Sequence, residues 1–397
     1  MMKIVNIEDF FHPNAGYQIN LLSKYLAKFG HDVTIITSKM DKIPEELTMF
    51  FGRDNIEKYD KEYEDMAKVK IIRLPIVKFI SGRAVFTDRL RKTVDNLKPD
   101  ILYVHGNDTL SAMYFIARLG KLNYALISDS HMLEMASKNK FNYLFRQFYR
   151  VFFTPKLIKY NVPVLRTQND TYVEKNLGIP LNQAPWISYG SDTMLFYPDR
   201  TVREEFRRNN NIRENDFVIL YAGKLDESKG GKLLAEVILE KFNSYKDVVI
   251  IIVGNAIGEY GRKVEELFAK SQNRVLRFPT QQYRDLASFY KSADLAVFPK
   301  QCSLSFYDVQ ACGLPVIFED NNVNIDRCRY GNGWTFESGN SQSFRNKIQE
   351  IIDMPEKEFQ KTSNLAYQFV KKNYDYESKA REYEHILMRV YEQFSDR

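Results

Sequence analysis

The stretch FVILYAGKLDESKGGK, at residues 217–232, decides the fold expected for this 397-residue chain. Its first five residues are apolar without interruption, which predicts a buried parallel strand, and Gly223 then allows a tight turn. The loop that follows carries Lys224 and Lys229 and ends at two glycines, after which an amphipathic helix is predicted. Two ammonium groups beside a helix N-terminus suit a diphosphate, because both attract anions. A solvated loop explains the same residues equally well.

The alternation of strand and helix continues on both sides of this stretch. After it come VVIIIVG, RVLRFP, DLAVFPK, PVIFED and GWTF, separated by predicted helices. Before it come MKIVNIE, HDVTIITS, VKIIRLP, DILYVHG, YALISDSH, VPVLRTQ and APWISYG, while the charged residues 41–68 receive no assignment. The pattern predicts an α/β protein with two parallel sheets, each covered by helices on both faces. We expect domains at residues 1–195 and 196–375, and a C-terminal helix at 376–397 that packs back onto the first domain.

Composition is that of an ordinary globular protein, with 44% apolar and 27% charged residues. No apolar run approaches the length of a membrane span, and Glu8 and Asp9 interrupt the N-terminal stretch, so we expect a cytoplasmic protein without a secretory signal. Three cysteines without a CxxC spacing predict reduced thiols and neither a disulfide framework nor a zinc site.

Positive charge is concentrated in one part of the chain. Residues 66–166 hold 18 Lys and Arg against 6 Asp and Glu, a net charge of 18 − 6 = +12, whereas the rest holds 39 against 45, a net charge of −6. Such a field favours an anionic partner, either acidic headgroups at a membrane or a phosphorylated acceptor.

Candidate site residues follow the predicted strands directly. In open parallel sheets, ligands bind beyond the carboxyl ends of the strands. The first half contributes the loop with Gly16, then His105 and His131, and the second contributes the lysine loop, Gly254 and the segment after DLAVFP. We expect the two sheets to present these ends to a cleft, with phosphate ligands on one wall and groups that contact hydroxyls on the other.

Eight segments in this order resemble the retaining glycosyltransferases of family four, the group 1 transferases. They are GHDVTIIT, DILYVHG, ISDSH, ISYGSDTMLFYP, YAGKLDESKGG, VVIIIVG, YKSADLAVFP and DVQACGLPVI, and they extend over nearly the whole chain. The resemblance implies the GT-B fold, in which two Rossmann-like, doubly wound domains face each other across a cleft. It also implies transfer of a sugar from a nucleoside diphosphate donor to a hydroxyl group, with retention at the anomeric carbon.

The resemblance implies roles for residues of the second half. Lys224 and Lys229 match the basic pair that clamps the donor diphosphate, although the first is usually arginine, and Gly223 and Gly254 belong to the same donor site. Asp308 in DVQACG stands where a glutamate usually accepts hydrogen bonds from the ribose. Lys300 replaces a glutamate that normally touches the donor sugar. The segment whose backbone amides approach the sugar and phosphate corresponds to Ser303, Leu304 and Ser305.

In the first half, the resemblance makes Gly16 the glycine that admits the donor phosphate and His131 the histidine beside the reacting carbon. Alternatives without a catalytic role remain: Gly16 as a turn glycine, His131 as a strand-end histidine bonded to nearby backbone, and Asp308 as a solvated residue that caps or flanks a helix. We expect His105 to be structural. No DxD cluster follows a strand, so we expect no metal and no cofactor besides the sugar nucleotide, with Lys224 and Lys229 neutralising the diphosphate.

Residues 136–169 combine basic and aromatic side chains and contain no acidic residue. One interpretation is an aromatic and basic helix that binds an anionic membrane surface. The other is that the aromatic stripe packs under the first sheet while the basic groups are solvated. Nucleic acid is not expected as a partner, because no nucleic-acid-binding module accompanies the patch.

The sequence therefore predicts a glycosyltransferase that acts on a lipid-linked saccharide in cell-surface polysaccharide synthesis, at the inner face of the membrane. A second hypothesis is a binding or scaffold protein that keeps the GT-B fold but has lost turnover, which Lys300 and the altered clamp suggest. A dinucleotide oxidoreductase is disfavoured, because no GxGxxG follows the first strand of either half.

Overall fold

The computed structural model describes residues 1–48, 52–80, 82–132, 142–300 and 303–396. It divides into two compact units, of which the first comprises Met1–Tyr189 with Glu377–Arg397 and the second comprises Gly190–Tyr376. Each unit is built around its own six-stranded parallel sheet.

The first unit combines a six-stranded sheet with a separate hairpin. Its strands are β1 (Lys3–Glu8), β2 (Asp32–Ser38), β3 (Lys70–Leu74), β4 (Ile76–Ile80), β5 (Arg83–Phe86), β6 (Ile101–Val104), β7 (Ala125–Ser130) and β8 (Val164–Arg166). Its helices are α1 (Gln18–Lys28), α2 (Glu45–Thr48), α3 (Ile56–Ala67), α4 (Arg89–Leu97), α5 (Leu110–Ala117), α6 (Asn142–Phe152), α7 (Thr154–Lys159) and α8 (Tyr172–Leu177). The sheet order is β3-β2-β1-β6-β7-β8, and β4 pairs with β5 in the antiparallel hairpin.

The second unit repeats the same plan. Its strands are β9 (Phe217–Ala222), β10 (Val248–Val253), β11 (Arg274–Phe278), β12 (Leu295–Phe298), β13 (Val316–Glu319) and β14 (Gly333–Phe336). Its helices are α9 (Arg200–Asn209), α10 (Gly231–Val237), α11 (Gly258–Ala269), α12 (Leu286–Ser292), α13 (Ser305–Ala311), α14 (Asn322–Cys328), α15 (Ser341–Ile352) and α16 (Glu356–Asn373). The sheet order is β11-β10-β9-β12-β13-β14.

Both sheets reverse their strand order at a single point, which fixes where a ligand can bind. In the first unit β1 pairs in parallel with β2 on one side and β6 on the other, and in the second β9 lies between β10 and β12. The helices on either side of such a switch point diverge and leave a crevice at the carboxyl ends of the strands. Residues after β1, β6, β9 and β12 are therefore placed for function.

The central strands are apolar on both faces because helices cover both faces of the sheets. Strand β10 is buried throughout, as are β6 and β7. Covered parallel sheets of this kind confirm the predicted α/β class. The sequence-based assignment was wrong for APWISYG, where only Trp186 forms an isolated bridge to Arg166, and it overlooked helix α3 and the hairpin β4–β5.

The last helix, α17 (Tyr376–Ser395), packs mainly within the first unit. His31 Nε2 lies 2.8 Å from Glu384 Oε1, and the hydroxyl of Tyr383 donates to the carbonyl of Ile187. Within the described ranges, no helix is long and apolar enough to cross a membrane. The described cysteines, Cys312 and Cys328, are free thiols, and Cys302 lies outside the described residues.

Candidate functional site

The first unit carries a hydrogen-bonded cluster at the carboxyl ends of β6 and β7. Its centre is Asp129, the fully buried penultimate residue of β7. One carboxylate oxygen accepts from the backbone N–H of Gly106 at 2.7 Å and contacts His131 Nε2 at 2.9 Å. The other accepts from the hydroxyl of Tyr103 at 2.9 Å and contacts His105 Nδ1 at 2.9 Å. All four contacts stabilise the ionised form of Asp129.

The charge state of Asp129 results from two opposing effects. Burial alone would raise the pKa of this carboxyl group, but the positive potential and hydrogen bonds of His131 and His105 outweigh burial and hold the pKa well below its usual range. The cluster thus contains a buried carboxylate that is ionised at neutral pH. A fixed anion of this kind orients both imidazole rings.

His131 is the member of this cluster that reaches the surface. Its side chain is 41% exposed, its ring stacks on that of Tyr189, and its Nδ1 bonds with the Tyr189 hydroxyl. Partial burial opposes a positive charge on the ring, but Asp129 and, more weakly, Glu8 raise the pKa of His131. The alternative without a catalytic role placed the hydrogen bonds of His131 on nearby backbone, whereas the structure places them on the side chains of Asp129, Tyr189 and, at 3.5 Å, Thr167. Such a histidine offers an oriented, positively polarised edge.

His105 lies deeper than His131. It is buried and stacks on Tyr103, with ring centroids 4.3 Å apart, and its Nε2 lies 3.1 Å from Asn6 Oδ1. It connects β6 to β7 through Asp129 and to β1 through Asn6. The side chain therefore positions its neighbours, in the structural role expected for it.

Two acidic side chains that the sequence analysis did not select lie at the end of strand β1, Glu8 as its last residue and Asp9 directly after it. Burial raises the pKa of Glu8, and burial together with the charge of Glu8 raises the pKa of Asp9 to about 7. Arg83 from strand β5 faces both groups and forms an ion pair with Asp108 at 2.9 Å. These residues lie around the cluster and provide groups that can accept hydrogen bonds from hydroxyls or donate hydrogen bonds to them.

Gly16 lies exposed in the loop between β1 and α1. Tyr17 precedes the first turn of α1 without capping it through a side chain, and that turn contains no acidic residue. Uncapped amides and the positive end of the helix dipole make this terminus compatible with an anion. The predicted phosphate contact at Gly16 stays a prediction.

In the second unit, the predicted lysine loop follows β9, the central strand at the switch point. Lys224 is exposed, and Lys229 is half-buried at the end of a short 3₁₀ turn, Glu227–Lys229. Asp226 caps this turn by accepting from the backbone N–H of Lys229 at 3.0 Å. Gly230 then adopts φ 75°, a left-handed conformation that glycine tolerates, and α10 begins. The backbone and the Asp226 cap therefore fix the loop that carries Lys224 and Lys229 at the carboxyl edge of the sheet.

Lys300 brings a third ammonium group to this loop. It follows β12, and its Nζ lies 3.3 Å from the carbonyl oxygen of Glu227. A Cβ atom added to Gly230 would lie only 3.0 Å from the Cβ atoms of Pro299 and Lys300. The lysine loop therefore packs closely against the segment that follows β12. Lys300, which the resemblance aligns with a glutamate, thus adds positive charge to the loop that carries Lys224 and Lys229.

The close packing of two loops requires a glycine at Gly254, which lies against Gly223. A Cβ atom at Gly254 would lie 1.9 Å from the carbonyl oxygen of Gly223, and Gly254 has φ 144°. The N–H of Gly223 in turn donates to the carbonyl of Val253 at 2.9 Å. Both glycines therefore hold the lysine loop against β10, which is the role visible in the structure. Their predicted contact with the donor stays a prediction.

Asp308 lies in α13 and is buried beside Ser191 and Tyr283. Burial raises its pKa to about 8, although hydrogen bonds from Ser191 at 2.7 Å and Tyr283 at 3.3 Å act in the opposite direction. The carboxyl group of Asp308 is thus largely neutral at pH 7 in the protein alone. It differs from the solvated carboxylate that a residue capping or flanking a helix would carry. A neutral carboxyl group can still exchange hydrogen bonds with a ribose.

The segment before α13 is described from Ser303 onward. The hydroxyls of Ser303 and Ser305 lie 2.7 Å apart, and Arg327 donates to the carbonyl of Ser303 at 2.8 Å. Leu304 precedes the helix and is 38% exposed. Arg327 therefore fixes the turn on which the predicted backbone contacts depend.

The ligand atoms of His105, Asp129 and His131 lie within 4.8 Å of one another, close enough to share a metal ion. However, both oxygens of Asp129 already contact donors, including the backbone N–H of Gly106, which cannot turn away. A cation would replace the imidazole protons that now face the carboxylate. The donor set therefore fits a hydrogen-bond network better than a metal site.

Asp129 and Tyr189 are the functional candidates that the sequence analysis missed. A polar run, Ser128 to Ser130, inside a fully buried strand is itself a signal of a functional strand end, and it could have identified Asp129. No comparable signal marks Tyr189, because it lies 58 residues from His131 in the chain.

Two family models match the chain. The model described as Glycosyl transferases group 1 matches residues 202–369, and the model described as Glycosyltransferase Family 4 matches residues 15–160. Together they cover the central part of both units. Neither match includes the C-terminal helix α17.

Individual relatives and solved structures agree with these matches. A probable sucrose-phosphate synthase from Thermosipho melanesiensis is 25% identical, covering 95% of this chain and 91% of that protein. A glycosyltransferase from Rickettsia africae superposes with a TM-score of 0.75 at 16% identity, covering 98% of both chains. Alr3699/HepE from Anabaena, solved in complex with UDP and glucose, superposes with a TM-score of 0.73 at 16% identity, covering 98% of this chain and all of that one. At these identities the structural similarities concern the fold.

Proposed function

Since the chain is a glycosyltransferase of family four with the GT-B fold, we propose that it transfers a sugar from a nucleoside diphosphate to a hydroxyl acceptor. The observation that carries the proposal is the lysine loop after β9. Lys224, Lys229 and Lys300 lie in the loops that follow β9 and β12, the neighbouring strands at the switch point of the second sheet, and Lys300 Nζ contacts the loop after β9. This arrangement supports a site for a diphosphate.

We propose a uridine diphosphate sugar as the first donor to test. The support comes from Anabaena Alr3699/HepE, a protein of the same fold that was solved with UDP and with UDP-glucose. In this chain the lysine loop would hold the diphosphate and Asp308 would bind the ribose. Ser303, Leu304 and Ser305 would approach the sugar through their backbone.

The proposed reaction retains configuration. The bond between the anomeric carbon and the phosphate oxygen breaks, and the bond to the acceptor oxygen forms on the same face. The departing diphosphate takes the proton of the acceptor hydroxyl, while Lys224 and Lys229 stabilise its negative charge. His131, oriented by Asp129 and Tyr189, would contact the sugar beside the reacting carbon. This scheme uses no metal and no cofactor.

We further propose that the acceptor is a lipid-linked saccharide and that the reaction takes place at the cytoplasmic face of a membrane. The net charge of +12 over residues 66–166 supports an acceptor or surface that carries negative charge. A phosphorylated sugar is the second candidate acceptor, because the relative from Thermosipho melanesiensis is named for a phosphorylated disaccharide product.

Calorimetry with UDP tests the donor site. Replacing Lys229 by alanine should weaken UDP binding by about tenfold to a hundredfold, because one charge-assisted contact is lost. The control is Lys263→Ala on α11, which removes an ammonium group paired with Glu259 away from the loop. Unchanged affinity in Lys229→Ala would overturn the donor assignment, provided that the wild-type protein binds UDP.

The scaffold hypothesis is separated from the enzyme hypothesis by turnover. Purified protein incubated with a panel of sugar nucleotides should release nucleoside diphosphate slowly, since water can replace the acceptor in a transferase. A pure scaffold binds the nucleotide and releases none. Binding without turnover for every sugar and acceptor would favour the scaffold.

A further inference from the structure

The aromatic and basic segment divides into two faces along helix α6. On the inner face, Tyr149 and Phe153 are buried in the core of the first unit, and Phe145 packs against them. On the outer face, large apolar side chains are between 48% and 68% exposed, and they are Tyr143, Leu144, Phe148, Val151 and Phe152. A surface helix normally exposes its polar face, so an apolar outer face indicates a binding surface.

The outer face of α6 is continuous and rigidly held. Leu144, Phe148, Val151 and Phe152 follow the i, i+4, i+7, i+8 spacing of one helix face, and the rings of Phe148 and Phe152 lie 5.0 Å apart. From the opposite face, the hydroxyl of Tyr149 bonds with the backbone and side chain of Asn107. The helix is therefore anchored while its outer face points to solvent.

The charges of helices α6 and α7 select the class of partner. Residues 142–159, which form α6 and α7, include Arg146, Arg150, Lys156 and Lys159 and no acidic residue. Arg150 donates to the carbonyl of Lys175, Lys156 donates to that of Ala117, and Lys159 is exposed. Arg146 and Arg150 lie on the side of α6 opposite its apolar outer face, so the exposed positive charge of this segment is on α7. An exposed apolar face on a segment without acidic residues matches a lipid surface that carries negative headgroups, because the apolar side chains enter the acyl region while a cation such as Lys159 remains at the phosphates.

We propose that the outer face of α6 docks the protein on an anionic bilayer. The anchor residue Asn107 follows β6, so α6 lies at the same strand ends as the His105, Asp129 and His131 cluster. Docking there brings the membrane surface to the site-bearing edge of the first unit. Docking on a bilayer deepens the proposed function and rests on that function only for the identity of the acceptor. Residues 136–141 of the original segment lie outside the described residues.

Vesicle sedimentation with the full chain tests the proposal, without any sugar nucleotide present. Wild-type protein should sediment with phosphatidylcholine vesicles that contain one-third phosphatidylglycerol, and less with phosphatidylcholine alone. The variant Leu144→Ser/Phe148→Ser/Phe152→Ser should lower the partition coefficient by about a hundredfold, because each half-exposed side chain contributes roughly fivefold. Replacing Lys156 and Lys159 by glutamine should reduce only the preference for the anionic vesicles.

A matched control carries serine at three other exposed apolar positions, Met194, Tyr245 and Ile325, and should bind vesicles like the wild type. Absence of vesicle binding by the wild-type chain would overturn the proposal, as would equal binding by the triple variant. Concentration-dependent association in solution that the triple variant abolishes, without vesicle binding, would instead make this face an interface between copies. UDP affinity measured on the same variants separates this outcome from a failure of the donor site.

Discussion

Replacing Asp129 by asparagine tests whether one buried charge organises the first unit's cluster. Each carboxylate oxygen faces two donors: Gly106 and His131 on one side, Tyr103 and His105 on the other. An amide offers one oxygen and one NH₂ group. In two of these four contacts, the NH₂ group of the asparagine would therefore face another hydrogen-bond donor. The backbone N–H of Gly106 cannot turn, whereas a hydroxyl and an imidazole can switch to accepting. We therefore expect the amide NH₂ to face Tyr103 and His105.

The magnitude follows from the contacts that are weakened. Hydrogen bonds to an ionised acceptor contribute about 1.5–3 kcal/mol each, and two are lost while two others become neutral. Rearrangement of Tyr103 and His105 recovers part of this loss. The free energy of unfolding at pH 5.5 should fall by about 2–4 kcal/mol. Asp108→Asn is the matched control at the same strand ends, where one partly exposed ion pair with Arg83 predicts a loss of about 1 kcal/mol or less.

The pH dependence gives a second, independent readout. The depressed pKa of Asp129 contributes stability that is present above its unfolded value of about 3.9 and is lost as pH falls through the folded value. The raised pKa of His131 contributes stability that is complete below its unfolded value of about 6.5 and is lost as pH rises through the folded value. The contribution of this pair should therefore be largest between about pH 4 and 6.5. In Asp129→Asn both slopes should flatten.

The assay combines urea denaturation with NMR titration of the imidazole nitrogens. The chain has only five histidines, so His131→Gln suffices to assign the critical resonance. In Asp129→Asn, the pKa of His131 should fall, because the neighbouring negative charge is gone. If the His131 titration stays where it is in the wild type and the variant unfolds with the same free energy, Asp129 does not organise the cluster.

Two further predictions concern the second unit. Gly254→Ala should lower the free energy of unfolding by about 3 kcal/mol and weaken UDP binding, because its Cβ would meet the Gly223 carbonyl at 1.9 Å and displace the adjacent Lys224. Gly258→Ala, also at positive φ but with no atom within 4 Å, should cost only about 1 kcal/mol in denaturation experiments, and equal losses would contradict the packing argument. For Asp308, whose raised pKa makes the native state bind a proton that the unfolded state releases, wild-type stability should decline between about pH 4 and 8. In urea denaturation across that range, Asp308→Asn should show a shallower decline, because only the contributions of groups such as Asp9 and His131 remain. Identical pH slopes in the variant and the wild type would refute the neutral assignment.

The two sheets could be predicted because their strands are short apolar runs that alternate with amphipathic helices. Strand β10, for example, is six buried aliphatic residues in sequence, and only a covered parallel sheet accommodates such a run. The hairpin β4–β5 gave no such signal: only Ile76 of β4 is buried, Val77 and Lys78 are exposed, and the pairing shifts register between Ile76 and Lys78. Its stability depends on contacts with Met40 and Ile43, which local sequence does not reveal.

The site was predictable where function depends on position after a strand, and unpredictable where it depends on contacts between distant segments. The lysine loop follows β9 directly, so its place at the sheet edge follows from the strand assignment alone. The Nδ1 atom of His131, in contrast, bonds with the hydroxyl of Tyr189, which lies 58 residues further along the chain. Similarly, the neutral state of Asp308 results from burial beside Ser191, 117 residues away. Burial of this kind is a property of the folded chain.

Helix α6 explains why the sequence of residues 136–169 is compatible with two interpretations. Its aromatic residues occupy both sides of the helix, so the 3.6-residue period cannot assign a single inner face. The structure buries Tyr149 and Phe153 and exposes Leu144 and Phe148, so the stripe packs under the sheet and an apolar surface also remains. The two interpretations therefore apply to different faces and do not compete. Only the interpretation that concerns the exposed face requires a binding partner. Vesicle binding decides whether that partner is a membrane.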